Sequence, residues 1–468
     1  MSKLVSSIQE AIEKSGLKSG MCISFHHHLR GGDYVLNMVM QAIADMGIRD
    51  LTVNASSLFD CHMPLMDHIR NGVVTGLETD YVSGGIGREL SAGILPKPVV
   101  FRTHGLRPSD IATGKSHIDV AFLAAPTSDE MGNCTGKCGP SACGSLGYAM
   151  ADAMYADKTV IITDNLVPYP LEKQSITEDY VDYVVKVDSI GDPKGIVSGT
   201  TRMPKDPVAL RIAAYAAKAI EASGLLKDGF SFQTGAGGAS LAAASYLKDI
   251  MLKKGIKGSF ALGGITGYLV EMMESGCFEY LQDVQCFDLK AVDSINRDPR
   301  HIEISALHYA GPTAMSTAAQ ALDVVVLGAT QMDVNFNVNV HTNSSGYIMG
   351  GSGGHTDVAA CAKMTMIVAP LSRARMSLVV DRVNCISTPG SSVDVLVTQY
   401  GVTVNPARTD LLERFKEWKL PVYDIHELKE IADGLNGMPD PNPNRGDRVV
   451  AEVLDRDGSI LDRIYQVL

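Results

Sequence analysis

Ser15-Gly16-Leu17-Lys18, Ser24-Phe25, Gly31-Gly32 and Met46-Gly47-Ile48 return, in the same order, as Ser223-Gly224-Leu225, Ser231-Phe232, Gly237-Gly238 and Lys254-Gly255-Ile256. The echo continues with Gly84-Gly85-Ile86 against Gly263-Gly264-Ile265 and Asp119-Val120-Ala121 against Asp323-Val324-Val325. Val181-Asp182-Tyr183-Val184-Val185 then answers Val393-Asp394-Val395-Leu396-Val397. The period far exceeds that of solenoid repeats and reads as a duplicated domain. The boundary is expected where the phrase restarts, giving units 1–224 and 225–468. Pockets favour domain interfaces, so the site is expected where the halves meet.

Short apolar runs alternate with helical stretches. Strands are expected at 50–53, 98–101, 118–123, 159–163 and 182–187, and again at 322–327, 365–369, 378–380 and 393–398. Helices are expected over 1–19, 35–46 and 210–222, and a last strand pair over 448–453 and 460–467. Such alternation implies an α/β fold of mainly parallel sheets covered by helices.

The 468 residues carry a net charge of -12, which argues against nucleic acid and anionic membranes as partners. Nine cysteines in no regular framework suggest reduced thiols and a cytoplasmic setting. Cys134, Cys138 and Cys143 match no common zinc spacing, and no convincing metal ligand set is expected. The N-terminal segment lacks a hydrophobic signal core, and no apolar run reaches membrane-spanning length.

Three segments carry chemistry. Gln233-Thr234-Gly235-Ala236-Gly237-Gly238-Ala239-Ser240 follows a strand and opens a helix of small residues. Its N–H groups and the helix dipole suit a phosphate or a developing oxyanion. Gly350-Gly351-Ser352-Gly353-Gly354 reads as a wall without side chains, against which a thin ligand arm can lie. Phe25-His26-His27-His28-Leu29-Arg30 sits at a strand end, where parallel sheets bind ligands, and suits carboxylate recognition. Successive side chains alternate faces, so the three histidines cannot all ligate one metal.

Phe25 to Arg30, Thr234 to Ala242, Phe260 to Thr266, His301 to Ala306, Phe336-Asn337-Val338-Asn339-Val340, Gly353-Gly354-His355 and Pro389 to Asp394 resemble the alpha subunits of citrate lyase, which are citrate:acyl-carrier-protein transferases. The resemblance spans nearly the whole chain. Val397-Thr398-Gln399-Tyr400-Gly401 is similar, more distantly, to the wider coenzyme A transferase superfamily. The resemblance implies two tandem coenzyme A transferase-type domains. It also implies exchange of acetyl for citryl on the thiol of a carrier protein, and partner subunits beta (the lyase) and gamma (the acyl carrier protein). An oligomer is expected, with citrate and acetate as small-molecule partners. No tightly bound cofactor is implied beyond the coenzyme-A-like phosphopantetheine arm of the carrier, which acetyl-coenzyme A can mimic.

Many relatives in the superfamily use a catalytic glutamate after a strand. The matching stretch here, Leu262-Gly263-Gly264-Ile265-Thr266-Gly267, holds no carboxylate, and Glu271 and Glu274 come more than a turn later. A ternary complex with a mixed anhydride is therefore the expected route, since citrate is already ionised at neutral pH. On this reading Gly235, Ala236, Gly237, Gly238 and Ser240 form the oxyanion site. His26, His28 and Arg30 take citrate, with Arg373 and Arg375 in support. Asn337 and Asn339, two apart on one face of an extended strand, hold the arm's amides, and Gly351, Gly353 and Gly354 flank it. Rival readings are a citramalate transferase, a covalent transferase using Glu271 or Glu274, and a sensor or scaffold on a retired fold.

Overall fold

The computed structural model describes residues 2–197, 204–235, 237–438 and 444–468. A first sheet takes β1 (Leu4–Val5), β2 (Cys22–Phe25), β3 (Leu51–Ala55), β4 (Val74–Thr79), β5 (Val99–Phe101), β6 (Val120–Ala124), β7 (Lys158–Thr163) and β8 (Tyr183–Lys186). A second takes β9 (Ser231–Thr234), β10 (Gly258–Ile265), β11 (Phe278–Cys286), β12 (His301–Glu303), β13 (Val324–Leu327), β14 (Met364–Val368), β15 (Val395–Val397) and β16 (Val402–Val404). A C-terminal hairpin follows, β17 (Arg445–Leu454) and β18 (Ile460–Val467).

The strand orders carry the duplication. The first sheet runs β5-β4-β3-β2-β6-β7-β8-β1 and the second β12-β11-β10-β9-β13-β14-β15-β16, matching position by position. All neighbours in the two runs are parallel except β15 and β16. Burial on both faces explains the unbroken apolar strands. In the second sheet Val324, Val326, Met364 and Met366 face one core, while Val325, Leu327 and Ile367 face another.

Two expectations about organisation change. The second unit begins before residue 225, because the helix Pro207–Ala222 packs on the helix Gly238–Lys254 and against β14, β15 and β16. Asp206 caps it by accepting from the Ala209 N–H, and Pro207 stands in its first turn. It is the counterpart of the helix Ile8–Ser15, which packs on β7 and β8. The repeated phrase thus marks the end of the first helix of each unit, not its start. Conversely, 445–467 returns to the first sheet, with Ala451 beside Val99 and Val453 beside Phe101. The hairpin covers the edge of β5, which would otherwise stay unpaired. The expected helix over 1–19 is shortened to Ile8–Ser15, since Leu4–Val5 pairs with Val184 and Val185 as an edge strand. The expected strand at 378–380 is a two-residue strand, Val379–Val380, in a separate three-stranded sheet.

A buried ion pair braces the first unit. Arg107 donates to both oxygens of Asp152 at 2.8 Å and to Asn54 Oδ1 at 2.6 Å. Replacing Arg107 by Met strands a buried carboxylate and is expected to cost about 3–5 kcal/mol in urea unfolding. The double substitution with Asp152→Leu should restore much of that loss.

Candidate functional site

The carboxyl edges of the two sheets face each other. Gln285, at the end of β11, donates to the His27 carbonyl at 3.0 Å, and Ser145 donates to the Asp283 carbonyl at 2.9 Å. His104, just past β5, donates its backbone N–H to the Gly353 carbonyl at 2.8 Å. Segments after β2, β5 and β6 thereby meet the end of β11 and the glycine-rich segment between β13 and β14.

Arg30 lies at this junction. Its guanidinium sits 4.7 Å from the Phe287 ring centroid and 5.5 Å from that of Phe59. Among the described residues it pairs with no carboxylate, and burial pulls its pKa down. Its φ of +51° is a left-handed conformation rarely taken by side-chain-bearing residues. The turn is pinned by Arg30 N–H to the His27 carbonyl and Gly32 N–H to the Leu29 carbonyl, both 2.9 Å. Asp33 closes the same loop, held at 3.1 Å by His62 Nε2. A largely buried cation stacked between aromatic faces, with its N–H edge unclaimed, is built to receive an anion.

Beside it lies a stack of rings. His27 is 4.7 Å from Tyr148, and Tyr148 is 4.5 Å from His104. Asp80, fully buried, takes the His104 Nδ1 at 2.9 Å, which leaves Nε2 facing Gly353. Gly353 has φ +51°, and a methyl group there would lie 3.2 Å from His104 Nε2. Burial, then the neighbouring His104, His28 and Arg30, holds His27 well below the ordinary imidazole range, so it is neutral at pH 7.

The structure separates the residues expected from sequence. Arg30 is brought to the junction. His26 and His28 share one face, but that face points inward: their Nδ1 atoms meet, and His28 Nε2 accepts the Tyr148 N–H at 3.3 Å. His27, on the opposite face, stacks on both Tyr148 and His104, while His28 reaches the Tyr148 ring at 5.7 Å. Gly235 gives its N–H to the Val326 carbonyl at 2.8 Å, so it is a ladder residue rather than an oxyanion donor. Gly237 and Gly238 open the helix Gly238–Lys254 and supply first-turn N–H groups, with Ser240 Oγ beside Gly237. Ala236 lies outside the described residues.

Asn337 and Asn339 are held in turns rather than facing a ligand. Asn337 donates to Asp333 and accepts from the Gly390 N–H, and buried Asn339 donates to Thr342. Gly350 and Gly351 are buried, and a side chain at Gly351 would strike Asp80 and Tyr81. Their bareness allows the halves to approach; the expected open wall is closed, and only Gly353 and Gly354 reach the ring stack and Tyr309. Arg373 lines a separate cavity of about 220 Å³, and Arg375 is exposed. Glu271 and Glu274 are taken up in exposed ion pairs with Lys290 and Arg297. Asp80, His104, Tyr148 and Phe287 went unread in the sequence, and His27 was read with its neighbours but not singled out. The strand-end rule that singled out His26 to Arg30 applies equally to Asp80 after β4 and to His104 after β5.

Against known proteins, the family model described as citrate lyase, alpha subunit (CitF) matches residues 1–467. The citrate lyase alpha chain of Klebsiella pneumoniae is 49% identical over 465 residues, covering 99% of this chain and 91% of that protein. That of Escherichia coli is likewise 49% identical, with the same coverage. A crystal structure of the alpha subunit of citrate lyase from Streptococcus mutans, in complex with citrate, superposes with a TM-score of 0.98 at 52% identity, covering 100% of this chain and 92% of that one. The malonate decarboxylase alpha subunit from Acinetobacter baumannii shares the fold, with a TM-score of 0.67 at 16% identity over 93% of this chain and 88% of that one.

The glycine-rich segment is held by neutral histidines. His341 accepts the Ser352 N–H at 3.3 Å, and His355 bonds the Gly328 carbonyl at 3.0 Å. Burial lowers His341 to about 3, and His26 and His355 to about 4, from an ordinary 6.5. Below pH 6.5 the unfolded chain binds protons at these sites that the folded chain refuses, so stability falls with falling pH. Urea midpoints should be level above about pH 6.5 for these groups and decline toward pH 4, with a shallower decline in His341→Gln.

Proposed function

Since the chain belongs to the citrate lyase alpha-subunit family, we propose that it is the citrate coenzyme A-transferase component, exchanging acetyl for citryl on a carrier thiol at the junction of its two sheets. The observation that carries this reading is Arg30, a largely buried cation between Phe59 and Phe287 that no carboxylate of the described chain neutralises. Citrate brings the missing carboxylate. His104, oriented by Asp80, meets the same ligand through Nε2.

In the first step an ionised citrate carboxylate oxygen attacks the acetyl thioester carbon. The C–O bond forms, the C–S bond breaks, and the products are the acetyl-citryl anhydride and a thiolate. The thiolate then attacks the citryl carbonyl, and acetate leaves with the shared oxygen. No net proton moves, so neither step needs a general base. Each passes through an oxyanion, and the second brings two anions together, the thiolate and the remaining citryl carboxylates. Gly237 and Gly238 N–H groups, with Ser240 Oγ, are suited to the oxyanion, and Arg30 offsets the charge of citrate. Closure of the halves keeps water from the anhydride.

The arm is the phosphopantetheine of an acyl carrier subunit, and a lyase subunit consumes the citryl thioester. No described helix is long and apolar enough to cross a membrane, consistent with a place in the cytoplasm.

Labelled citrate and acetyl-coenzyme A mixed with the purified chain should yield citryl-coenzyme A and acetate, but no oxaloacetate, by mass spectrometry. Absence of transfer to coenzyme A and to an acetylated carrier alike would overturn the reading. Arg30→Gln should raise the citrate KM by about tenfold or more while leaving the acetyl-donor KM within about twofold, as the loss of a charge-assisted contact predicts.

A further inference from the structure

We propose that a cavity of about 300 Å³, between the turn Thr342 to Gly346, the Arg382 to Asn384 loop and the C-terminal hairpin, binds phosphate groups. Its occupant is the phosphate-bearing end of the thiol carrier that reacts at the sheet junction. This second statement rests on the transferase reading above.

The lining sets the chemistry. Arg382, Arg445 and Arg463 converge on the cavity, with Thr342 and Asn384 as neutral polar partners and Asp462 as its acid. Arg463 is engaged by Glu452 at 3.3 Å. Arg445 stacks on Tyr465, 3.7 Å from the ring centroid, an arrangement that sets its plane and leaves its N–H edge for a ligand. Arg382 makes no ion pair among the described residues. The Asp462 carboxylate accepts the backbone N–H groups of Ile386 at 2.7 Å and Arg463 at 2.8 Å, so its charge is already taken up by donors. A chain of net charge -12 thus gathers three guanidinium groups around one small cavity. The size stands at the lower end for ligand sites and suits phosphates better than a whole nucleotide.

Its position sets the source. The 220 Å³ cavity holding Arg373 lies on the other side of the same turn, lined by Ala329, Thr330, Asn343, Ser344 and Met349. Asn384 holds the partition, donating to the Asn343 carbonyl at 3.3 Å and the Ser344 carbonyl at 3.0 Å. Ala329 follows β13, whose Val326 carbonyl takes the Gly235 N–H at the head of the oxyanion loop. The arginines therefore lie across one turn from a cavity whose Ala329 connects, through β13, to that loop. A thioester arm reacting at the loop would carry its phosphates toward this side of the molecule. Both halves build the cavity, since the hairpin completes the first sheet and the turn belongs to the second unit.

Arg382→Ala with Arg445→Ala tests this, both side chains being exposed and outside the reacting centre. Calorimetric titration of the intact chain with coenzyme A should show affinity lowered about tenfold or more in the double variant, with pantetheine binding unchanged. The citrate KM, and kcat with acetyl-pantetheine, should match the parent. Equal coenzyme A affinity in parent and variant overturns the carrier assignment. If inorganic phosphate alone loses binding in the variant, the cavity serves free phosphate instead. If neither probe distinguishes the two proteins, the phosphate site itself is wrong. The titrations need no turnover, so their failure is separate from a failure to form citryl thioester.

Discussion

Everything at the junction depends on holding two sheet edges together, and the Asp357 carboxylate is the bolt. It is fully buried and accepts from Thr103 Oγ1 and the Gly105 N–H in the first unit, both at 2.8 Å, and from Arg456 of the C-terminal hairpin at 3.2 Å. Burial pushes the carboxyl up, while Arg456 and the two donors oppose it. Gly105 is required here, since a methyl group would run into the Ala310 carbonyl and Asp357 itself. A carboxylate so placed is stable only when all three segments are present, which ties the hairpin's return to the closing of the site.

Closure creates an electrostatic setting that suits the proposed transfer. Arg30 is costly to bury alone, and stacking on two rings is a partial remedy. The remaining imbalance is a driving force for binding an anion. Around it the chain keeps its other charges quiet: His27 is neutral by burial, and Asp80 is turned to His104. The arrangement favours a reaction that moves charge between oxygen and sulfur without moving protons.

Much of this was legible. The paired phrases at Ser15 and Ser223 identified the duplication, because glycines at helix ends leave the same mark in each copy; Gly16 and Gly224 both take φ above +70°. The position of Arg30 at the junction was legible from its place after a strand. That His26 and His28 turn inward was not legible, because alternation says which side chains share a face but not whether that face meets core or cleft. What packs against the glycine run at 350 to 354 was not legible for a related reason. Absence of side chains announces close approach, but not whether the approaching surface is a ligand or, as for Gly351, the backbone at Asp80 and Tyr81.

Sequence by itself determined the fold class, the duplication, the family and the strand ends at which chemistry gathers, because periodicity and glycine punctuation are local properties of a chain. The tertiary structure alone decided that His27 packs between Tyr148 and His104, that Asp80 and His104 pair, and that residues 445–467 rejoin the first sheet. Those outcomes arise from contacts between segments tens to hundreds of residues apart. They depend on how two sheets are set against each other, which no local pattern encodes.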